Sequence, residues 1–292
     1  MPAKKGGFQL TGDDIELVKF IHEYRLATVD HLGALSGRRA KKVHGRLLKL
    51  VQQGYLARIA RPQQKYCYVL GKGAVGVLVE QGLASRELLE WRLRHQELRP
   101  LFLDHLLLIT DIHTRLTLAS RTSHLTLVEW RQDQGLWDSA PVVVNGDQTS
   151  LPVRPDAYFI LEDSERPLGR NRVSFFLEAD RSTTTHRRFQ NKVLAYWSYL
   201  TNGLQKEKLG VPNFRVATVT LTAERARGLC DATREVLPAE AGKYFLFAPL
   251  TLASLEKPEP IFNAVFYSPR DSEQHPLIPR VAQPLTAAGG GA

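Results

Sequence analysis

The chain has 292 residues, 43% of them hydrophobic and 24% charged, which indicates one large or two modest globular domains rather than a disordered or fibrous protein. The 39 Lys and Arg residues outnumber the 30 Asp and Glu residues, and the net charge of +9 favours a polyanionic partner. Residues 1–100 hold 18 of the basic and 9 of the acidic residues, whereas residues 101–292 hold equal numbers of each. The whole excess of positive charge therefore lies in the first third of the chain.

Three short helices are predicted in the first 53 residues. Apolar residues recur at helical spacing over residues 13–24, behind Thr11. A second helix follows the capping residue Thr28 and ends at Gly37, where glycine tolerates a positive φ. The third, over residues 38–53, carries one apolar stripe and one basic stripe. Residues 55–60 and 65–70 then predict two strands around a basic turn, so residues 1–82 have the element order of a winged helix-turn-helix.

A winged helix-turn-helix places its third helix in the major groove of DNA and its hairpin along the phosphates. The predicted DNA contacts are Arg38, Arg39, Lys42, Arg46 and Lys49 on the third helix and Arg58, Arg61 and Lys65 on the hairpin. Two alternatives stay open at this point: a basic helix that is only solvated, and a winged helix that serves as a protein-docking or dimer surface.

Residues 83–100 are predicted to be a charged connector helix, and residues 101–267 a second domain of the α+β or α/β class. Its pattern is a helix, three strands, a helix, a strand, a helix and a final strand, which favours a mixed sheet flanked by helices. Residues 268–292 are rich in proline, glycine and small side chains, and they are predicted to form a flexible tail.

Three carboxylates are expected where the strands of this second domain meet. Alternation along the strand over residues 173–179 places Glu178 and Asp180 on one face, about 6 to 7 Å apart. Asp156 would approach that face if the preceding strand pairs with it in antiparallel fashion. Converging carboxylates favour a hard cation, Mg²⁺ or Mn²⁺, which could assist phosphodiester cleavage. The alternative is that these groups are solvated, or paired with an arginine such as Arg181.

The helix predicted over residues 182–200 adds positive charge near these carboxylates. Lys192 stands at the edge of its apolar stripe, where its ammonium could hold a phosphate or polarise a nucleophile, or simply extend into solvent. Arg187 and Arg188, near the start of the same helix, are predicted contacts to the DNA backbone.

Three runs of residues resemble the replication-relaxation family, which includes relaxases of one class of mobilisable plasmids. They are Arg-Pro-Asp-Ala-Tyr-Phe at 154–159, Phe-Leu-Glu-Ala-Asp-Arg-Ser-Thr at 176–183 and Asn-Lys-Val-Leu-Ala-Tyr at 191–196. The resemblance covers roughly residues 10–265. It implies a restriction-endonuclease-like core, whose signature is PD followed by (D/E)xK.

Carried over residue by residue, the resemblance assigns Asp156 to the PD aspartate and Glu178 to the second acidic position. Asp180 stands where the signature has lysine, and Lys192 on the next helix is the candidate to replace that lysine. The implied catalytic set is Asp156, Glu178, Asp180 and Lys192, with Asp156, Glu178 and Asp180 as metal ligands. A nuclease with a relocated lysine and a core that has lost its chemistry both stay open.

Several other classes of protein find no support in the sequence. There is no P-loop, no His-x-His pair and no GxSxG elbow. Cys67 and Cys230 lie far apart without metal-ligand spacing, and no apolar run reaches the length of a membrane span, so a reduced, cytoplasmic protein without membrane association is expected.

The first hypothesis is a site-specific DNA-binding protein that nicks or relaxes DNA in plasmid or mobile-element replication or transfer, with Mg²⁺ or Mn²⁺ as cofactor. The second is a non-catalytic, sequence-specific regulator or replication accessory with a degenerate nuclease core. A third is a protein that recruits a separate nuclease. Double-stranded DNA is the expected partner in each case, while other replication or transfer proteins and a second copy of the chain stay open as further partners.

Overall fold

The computed structural model describes residues 8–94, 100–144, 146–182, 184–263 and 265–279. The chain divides into an N-terminal unit, Met1–Arg121 with Ala253–Pro258, and a C-terminal unit, Thr122–Leu252 with Glu259–Ala292. The long helix that the sequence assigned to the second domain groups with the N-terminal unit instead. No helix among the described residues combines the length and the apolar character that a membrane crossing requires.

The described residues of the N-terminal unit form six helices and a three-stranded antiparallel sheet of order β1-β3-β2. Its helices are α1 (Gly12–Tyr24), α2 (Val29–Ser36), α3 (Ala40–Gln52), α4 (Ala74–Glu80), α5 (Arg86–Arg94) and α6 (Pro100–Ser120), and its strands are β1 (Ala27–Thr28), β2 (Leu56–Ile59) and β3 (Cys67–Leu70). The order α1-β1-α2-α3-β2-β3 is that of a winged helix-turn-helix, as predicted. Residues 95–99 of the predicted connector lie outside the described residues.

Local capping explains where the first helices begin and end. The Thr11 side chain accepts a hydrogen bond from the backbone of Asp14, whose carboxylate in turn accepts one from the Thr11 backbone. Thr28 and His31 form the same reciprocal arrangement at α2. Gly37 ends α2 with a φ of 66°, a left-handed conformation that glycine adopts at little cost. These pairs satisfy backbone groups that a helix terminus leaves open.

One ion pair fastens α3 to α1 across the core of this unit. Asp14 is fully buried, and its carboxylate accepts hydrogen bonds from Arg46 on α3, with 2.7 Å between Arg46 Nε and Asp14 Oδ1. Val43, Leu47 and Leu50 of α3 are buried in the same core. Packing and charge together therefore fix the orientation of α3.

Asp14→Ala is expected to lower the free energy of unfolding by about 3 kcal/mol, because it removes a helix cap and leaves the half-buried Arg46 unpaired. Burial alone would raise the pKa of Asp14, but hydrogen bonds from Arg46 and Thr11 hold this pKa below its usual value. The stabilisation is therefore complete above the unfolded pKa of about 4 and is lost as the pH falls through the lower folded pKa. Urea unfolding at several pH values measures both effects.

Asp13→Ala is the matched control for this measurement. Asp13 is exposed and pairs with Arg38 at the surface, so its loss is expected to cost no more than about 1 kcal/mol. Equal destabilisation by the two variants would show that the buried pair does not hold α3.

Gly71→Ala is expected to destabilise the N-terminal unit by about 3 kcal/mol, since overpacking against backbone forces the chain to shift. A Cβ atom at Gly71 would lie 2.4 Å from the carbonyl oxygen of Gly54, where the end of α3 meets the end of the hairpin. Gly76→Ala is the control, because open space surrounds that position in α4. An equal drop in melting temperature in the two variants would contradict this account.

The C-terminal unit is built on a seven-stranded mixed sheet of order β12-β11-β10-β9-β8-β7-β4. The β8–β9 and β9–β10 pairs are parallel and the others antiparallel. The strands are β4 (Leu125–Arg131), β5 (Asp138–Val144), β6 (Asp147–Val153), β7 (Ala157–Asp163), β8 (Arg172–Asp180), β9 (Arg215–Thr220), β10 (Phe245–Pro249), β11 (Phe266–Tyr267) and β12 (Gln274–His275), and the helices are α7 (His186–Thr201), α8 (Leu204–Leu209) and α9 (Ala223–Arg234).

Helices α7 and α9 cover one face of this sheet around an aromatic core. Phe176, Tyr196, Tyr199 and Phe214 are buried there, with the rings of Phe176 and Phe214 4.5 Å apart. Burial of several large aromatic side chains is expected to contribute much of the stability of this unit. The core fixes the face of α7 that is turned towards β8.

Two parts of the C-terminal unit differ from the sequence-based expectation. Strands β5 and β6 form a separate hairpin that packs on α7, where Tyr199 donates a hydrogen bond to Asp138 over 3.0 Å. The predicted tail from residue 268 instead contains β12, and Leu277 and Ile278 are buried. Pairing with β11 and burial of these apolar side chains order the segment to residue 279. Residues 280–292 lie outside the described residues.

Candidate functional site

The antiparallel pairing of β7 with β8 brings Asp156 opposite Glu178. Ala157 is paired with Leu177, and the backbone N–H of Asp156 donates to the carbonyl of Leu177 over 3.0 Å. The N–H of Ala179 donates to Asp156 Oδ2 over 2.8 Å. The expected approach of Asp156 to the acidic strand end, the end of β8 that carries Glu178 and Asp180, is therefore confirmed.

Glu178 is buried beneath α7 and accepts a hydrogen bond at each of its oxygens. Oε2 accepts from Lys192 Nζ, and Oε1 accepts from the Tyr196 hydroxyl at 2.5 Å. Burial raises the pKa of Glu178 above its usual value, and the charge of Lys192 opposes that rise. Tyr196 lies one helical turn beyond Lys192, so the same face of α7 supplies both partners.

Lys192 holds a positive charge beside the two opposed carboxylates. Burial alone would lower the pKa of Lys192, but the charges of Glu178 and Asp156 raise it above its usual value. Its side chain is 39% exposed, whereas that of Glu178 is buried. Sequence reasoning placed this lysine near the carboxylates, and the structure brings them together.

Asp180 has a different role from that of Asp156 and Glu178. Arg225 on α9 donates to both Asp180 oxygens, over 2.7 Å from Nε and 3.1 Å from Nη2. The N–H of Ser182 donates to Asp180 Oδ2 over 2.9 Å, and Arg225 also donates to the carbonyl of Thr184. This bidentate ion pair ties α9 to the end of β8. An arginine partner for the acidic strand end was an expected alternative, but Arg225, rather than Arg181, supplies the bidentate pair.

The oxygen atoms that suit a hard divalent cation are those of Asp156 and Glu178. Asp180 fits less well as a third ligand, because Arg225 and Ser182 together place three hydrogen bonds on its carboxylate. The Glu178 carboxylate accepts one hydrogen bond at each oxygen, which leaves a lone pair on each. Among the described residues, the one group of three His, Cys, Asp or Glu side chains with ligand atoms within 4.8 Å of one another is His124, Asp163 and Glu165. The three predicted metal ligands therefore do not converge as a set.

The basic face of α3 lies in the N-terminal unit. Arg39, Lys42 and Lys49 are exposed, and no carboxylate of the described residues forms an ion pair with them. Lys41, which was not among the predicted contacts, is also exposed on this helix. These four cations are available to a polyanion.

The other predicted DNA contacts of the N-terminal unit have partners within it. Arg38, two residues before α3, pairs with Asp13 and Glu16 of α1, and Arg46 of α3 pairs with Asp14. The remaining contacts are Arg61 with Asp104, Lys65 with Asp30, and the Arg58 guanidinium over the Tyr66 ring. Arg187 and Arg188 of the C-terminal unit are exposed in the first turn of α7.

The family model described as Replication-relaxation matches residues 18–213. The solved structure of the transcriptional regulator Tm0710 from Thermotoga maritima is similar over 36% of this chain and 77% of that chain, with 21% sequence identity and a TM-score of 0.23. The comparison with curated proteins gives no match.

Proposed function

The chain belongs to the replication-relaxation family, and we propose that it is a double-stranded-DNA-binding protein of replication that docks through α3. The observation that carries this proposal is the exposed face of α3, where Arg39, Lys42 and Lys49 have no carboxylate partner among the described residues. Lysine and arginine neutralise phosphates, and arginine also binds guanine edges. The ion pair between Arg46 and Asp14 orients that face.

Fluorescence anisotropy with a labelled duplex tests the docking. If the three cations each neutralise one phosphate, the logarithm of the association constant should fall with the logarithm of salt concentration with a slope of about −3. A slope near zero would contradict docking through this face.

A second candidate function is metal-dependent nicking of DNA at the Asp156 and Glu178 carboxylates. The hydrogen bond from Lys192 Nζ to Glu178 favours nicking. Asp180 stands where the (D/E)xK signature has lysine, and Lys192 on α7 provides an ammonium beside Glu178 instead. Asp156 and Glu178 would hold Mg²⁺ or Mn²⁺, which supplies charge stabilisation for phosphodiester cleavage when bound. Lys192 would hold the phosphate, and Tyr196 would orient Glu178 through its 2.5 Å hydrogen bond.

The non-catalytic alternative, a replication accessory or regulator with a degenerate core, is favoured by the pair between Arg225 and Asp180. In that arrangement the acidic strand end serves to hold α9.

Conversion of supercoiled plasmid to open circles by the purified protein with Mg²⁺ supports nicking. Site-selective footprinting without cleavage under Mg²⁺ or Mn²⁺ supports the accessory role, and cleavage that requires an added nuclease supports recruitment.

A further inference from the structure

A cavity of about 680 Å³ lies in the C-terminal unit, at the edge of the sheet where β9 and β10 begin. Arg215 opens β9 and lines this cavity, together with Lys243 just before β10. The volume is within the range of pockets that bind small molecules. The cavity is therefore large enough for a ligand of nucleotide size.

This cavity is separate from the candidate carboxylate site. Strands β8 and β9 run parallel, with Arg215 paired to Phe175 and Thr220 paired to Asp180. Five residues of strand span roughly 16 Å, so the cavity lies at the end of the sheet where β9 begins, and the acidic end of β8 lies at the opposite end of these strands. None of the residues assigned above to nicking or to DNA docking lines it.

The cavity carries positive charge that is only partly balanced. Arg270 pairs with Asp271 over 2.7 Å, and His275 also contacts Asp271 over 2.6 Å. Arg215 donates to the carbonyl of Leu277 over 3.1 Å, and neither Arg215 nor Lys243 forms an ion pair with a carboxylate of the described residues. Glu259 is the one acidic residue in the described lining.

The electrostatics at Arg215 favour an anion. Burial and the neighbouring charges of Arg270 and Arg166 lower the pKa of Arg215 to about 10. Crowded cations of this kind repel one another until a negative charge is placed between them. A phosphate in the cavity would replace this repulsion with attraction.

The segment after β11, which contributes Ser268 and Arg270 to the cavity lining, is held in place by contacts to the backbone. A Cβ atom at Gly242 would lie 2.5 Å from the backbone N of Arg270, and Ser268 Oγ donates to the carbonyl of Gly242 over 2.9 Å. Arg234 Nε donates to the carbonyl of Pro269 over 3.0 Å. Because these contacts order this segment, its polar groups are arranged before a ligand arrives.

We propose that this cavity binds the phosphomonoester of a mononucleotide, with Arg215 and Lys243 as the phosphate ligands and Phe262 and Leu246 as the apolar wall for the base. Guanidinium and ammonium groups recognise phosphate through charge-assisted hydrogen bonds. Both apolar side chains are buried and line the cavity. This site is additional to the proposed DNA-binding function and does not depend on it.

Calorimetric titration of the full chain with adenosine monophosphate, adenosine and inorganic phosphate tests the proposal. The monophosphate is expected to bind with saturation and at least about tenfold more tightly than adenosine, because the nucleoside lacks the charged group. Lys243→Gln, at an exposed position, should weaken monophosphate binding about tenfold and leave folding intact. Arg215→Gln should weaken it more, with its thermal melting measured alongside.

Lys208→Gln is the matched control, because Lys208 is exposed on α8 and does not line the cavity. It should leave monophosphate binding unchanged, as should Lys42→Glu, which alters the proposed DNA-docking face. Displacement of the monophosphate by a 5′-phosphorylated dinucleotide supports the phosphate site and shows that the 5′-phosphate at the end of a DNA strand can also occupy it. Equal binding of adenosine and its monophosphate, or wild-type affinity in Lys243→Gln, would overturn the proposal even if Arg215→Gln failed to fold.

Discussion

Glu178→Gln is expected to lower the rate of plasmid nicking at least about a hundredfold, the usual scale for losing one charge-stabilising group in an active site. The substitution removes the negative charge opposite Asp156 while keeping the size of the side chain. It also removes the ionic partner of Lys192. The measurement is the time course of supercoiled plasmid conversion in the presence of Mg²⁺, and it examines the nicking proposal directly.

The controls separate loss of chemistry from loss of fold. Glu207→Gln changes an exposed glutamate of α8 and should nick at the wild-type rate. Lys192→Gln should be slow, and Lys192→Arg should recover part of the rate if the side chain acts through its charge. The melting temperature of each variant shows whether the fold around Glu178 and Lys192 is retained. Wild-type nicking by Asp156→Ala, or nicking in EDTA, would exclude these carboxylates as the active site.

The triple variant Arg39→Glu, Lys42→Glu and Lys49→Glu is expected to weaken duplex binding by about a thousandfold at low salt and to flatten its salt dependence, since three phosphate contacts become repulsive. The fold should persist, because all three side chains are exposed and α3 is held by Arg46 and Asp14. Anisotropy titrations at three or more salt concentrations give both quantities.

Lys206→Glu combined with Lys208→Glu provides a control for the change in net charge. Both lysines are exposed on α8, which belongs to the C-terminal unit, whereas the winged helix belongs to the N-terminal unit. Their reversal should change affinity far less than reversal on α3. If the two sets of variants weaken binding equally, the duplex responds to overall charge, and α3 is not its docking face.

Local signals account for the parts of the fold that the sequence predicts well. Thr11, Thr28 and Gly37 mark helix ends through contacts within a few residues, so the first helices are found nearly to the residue. No hairpin is predicted at β5–β6, although Asn145-Gly146 is a recognised turn signal. The residues that follow this dipeptide, 147–150, are all polar and do not show the alternation of a strand. Strands β11 and β12 have only two residues each, too few to show alternation, and long-range pairing alone defines them.

The candidate carboxylate site divides in the same way. Asp156, Glu178 and Lys192 could be placed together because strand alternation and helical spacing are regular. Arg225 could not, because it lies 45 residues beyond Asp180 and meets it only when α9 packs on the sheet. Helical spacing from Phe189 and Val193 places Tyr196 on the apolar face of α7, but spacing does not reveal that its hydroxyl meets a buried carboxylate.

The two margins of the seven-stranded sheet bear on how the protein behaves at high concentration. A long, regular edge strand offers unpaired backbone groups to another molecule and invites aggregation. Here one margin, β4, is interrupted by a bulge between Leu127 and Glu129, and the other is capped by the two-residue strands β11 and β12. Neither margin is an even template for a second chain. Truncation before residue 266 would expose β10 instead, so shortened versions of this protein should be more prone to precipitate.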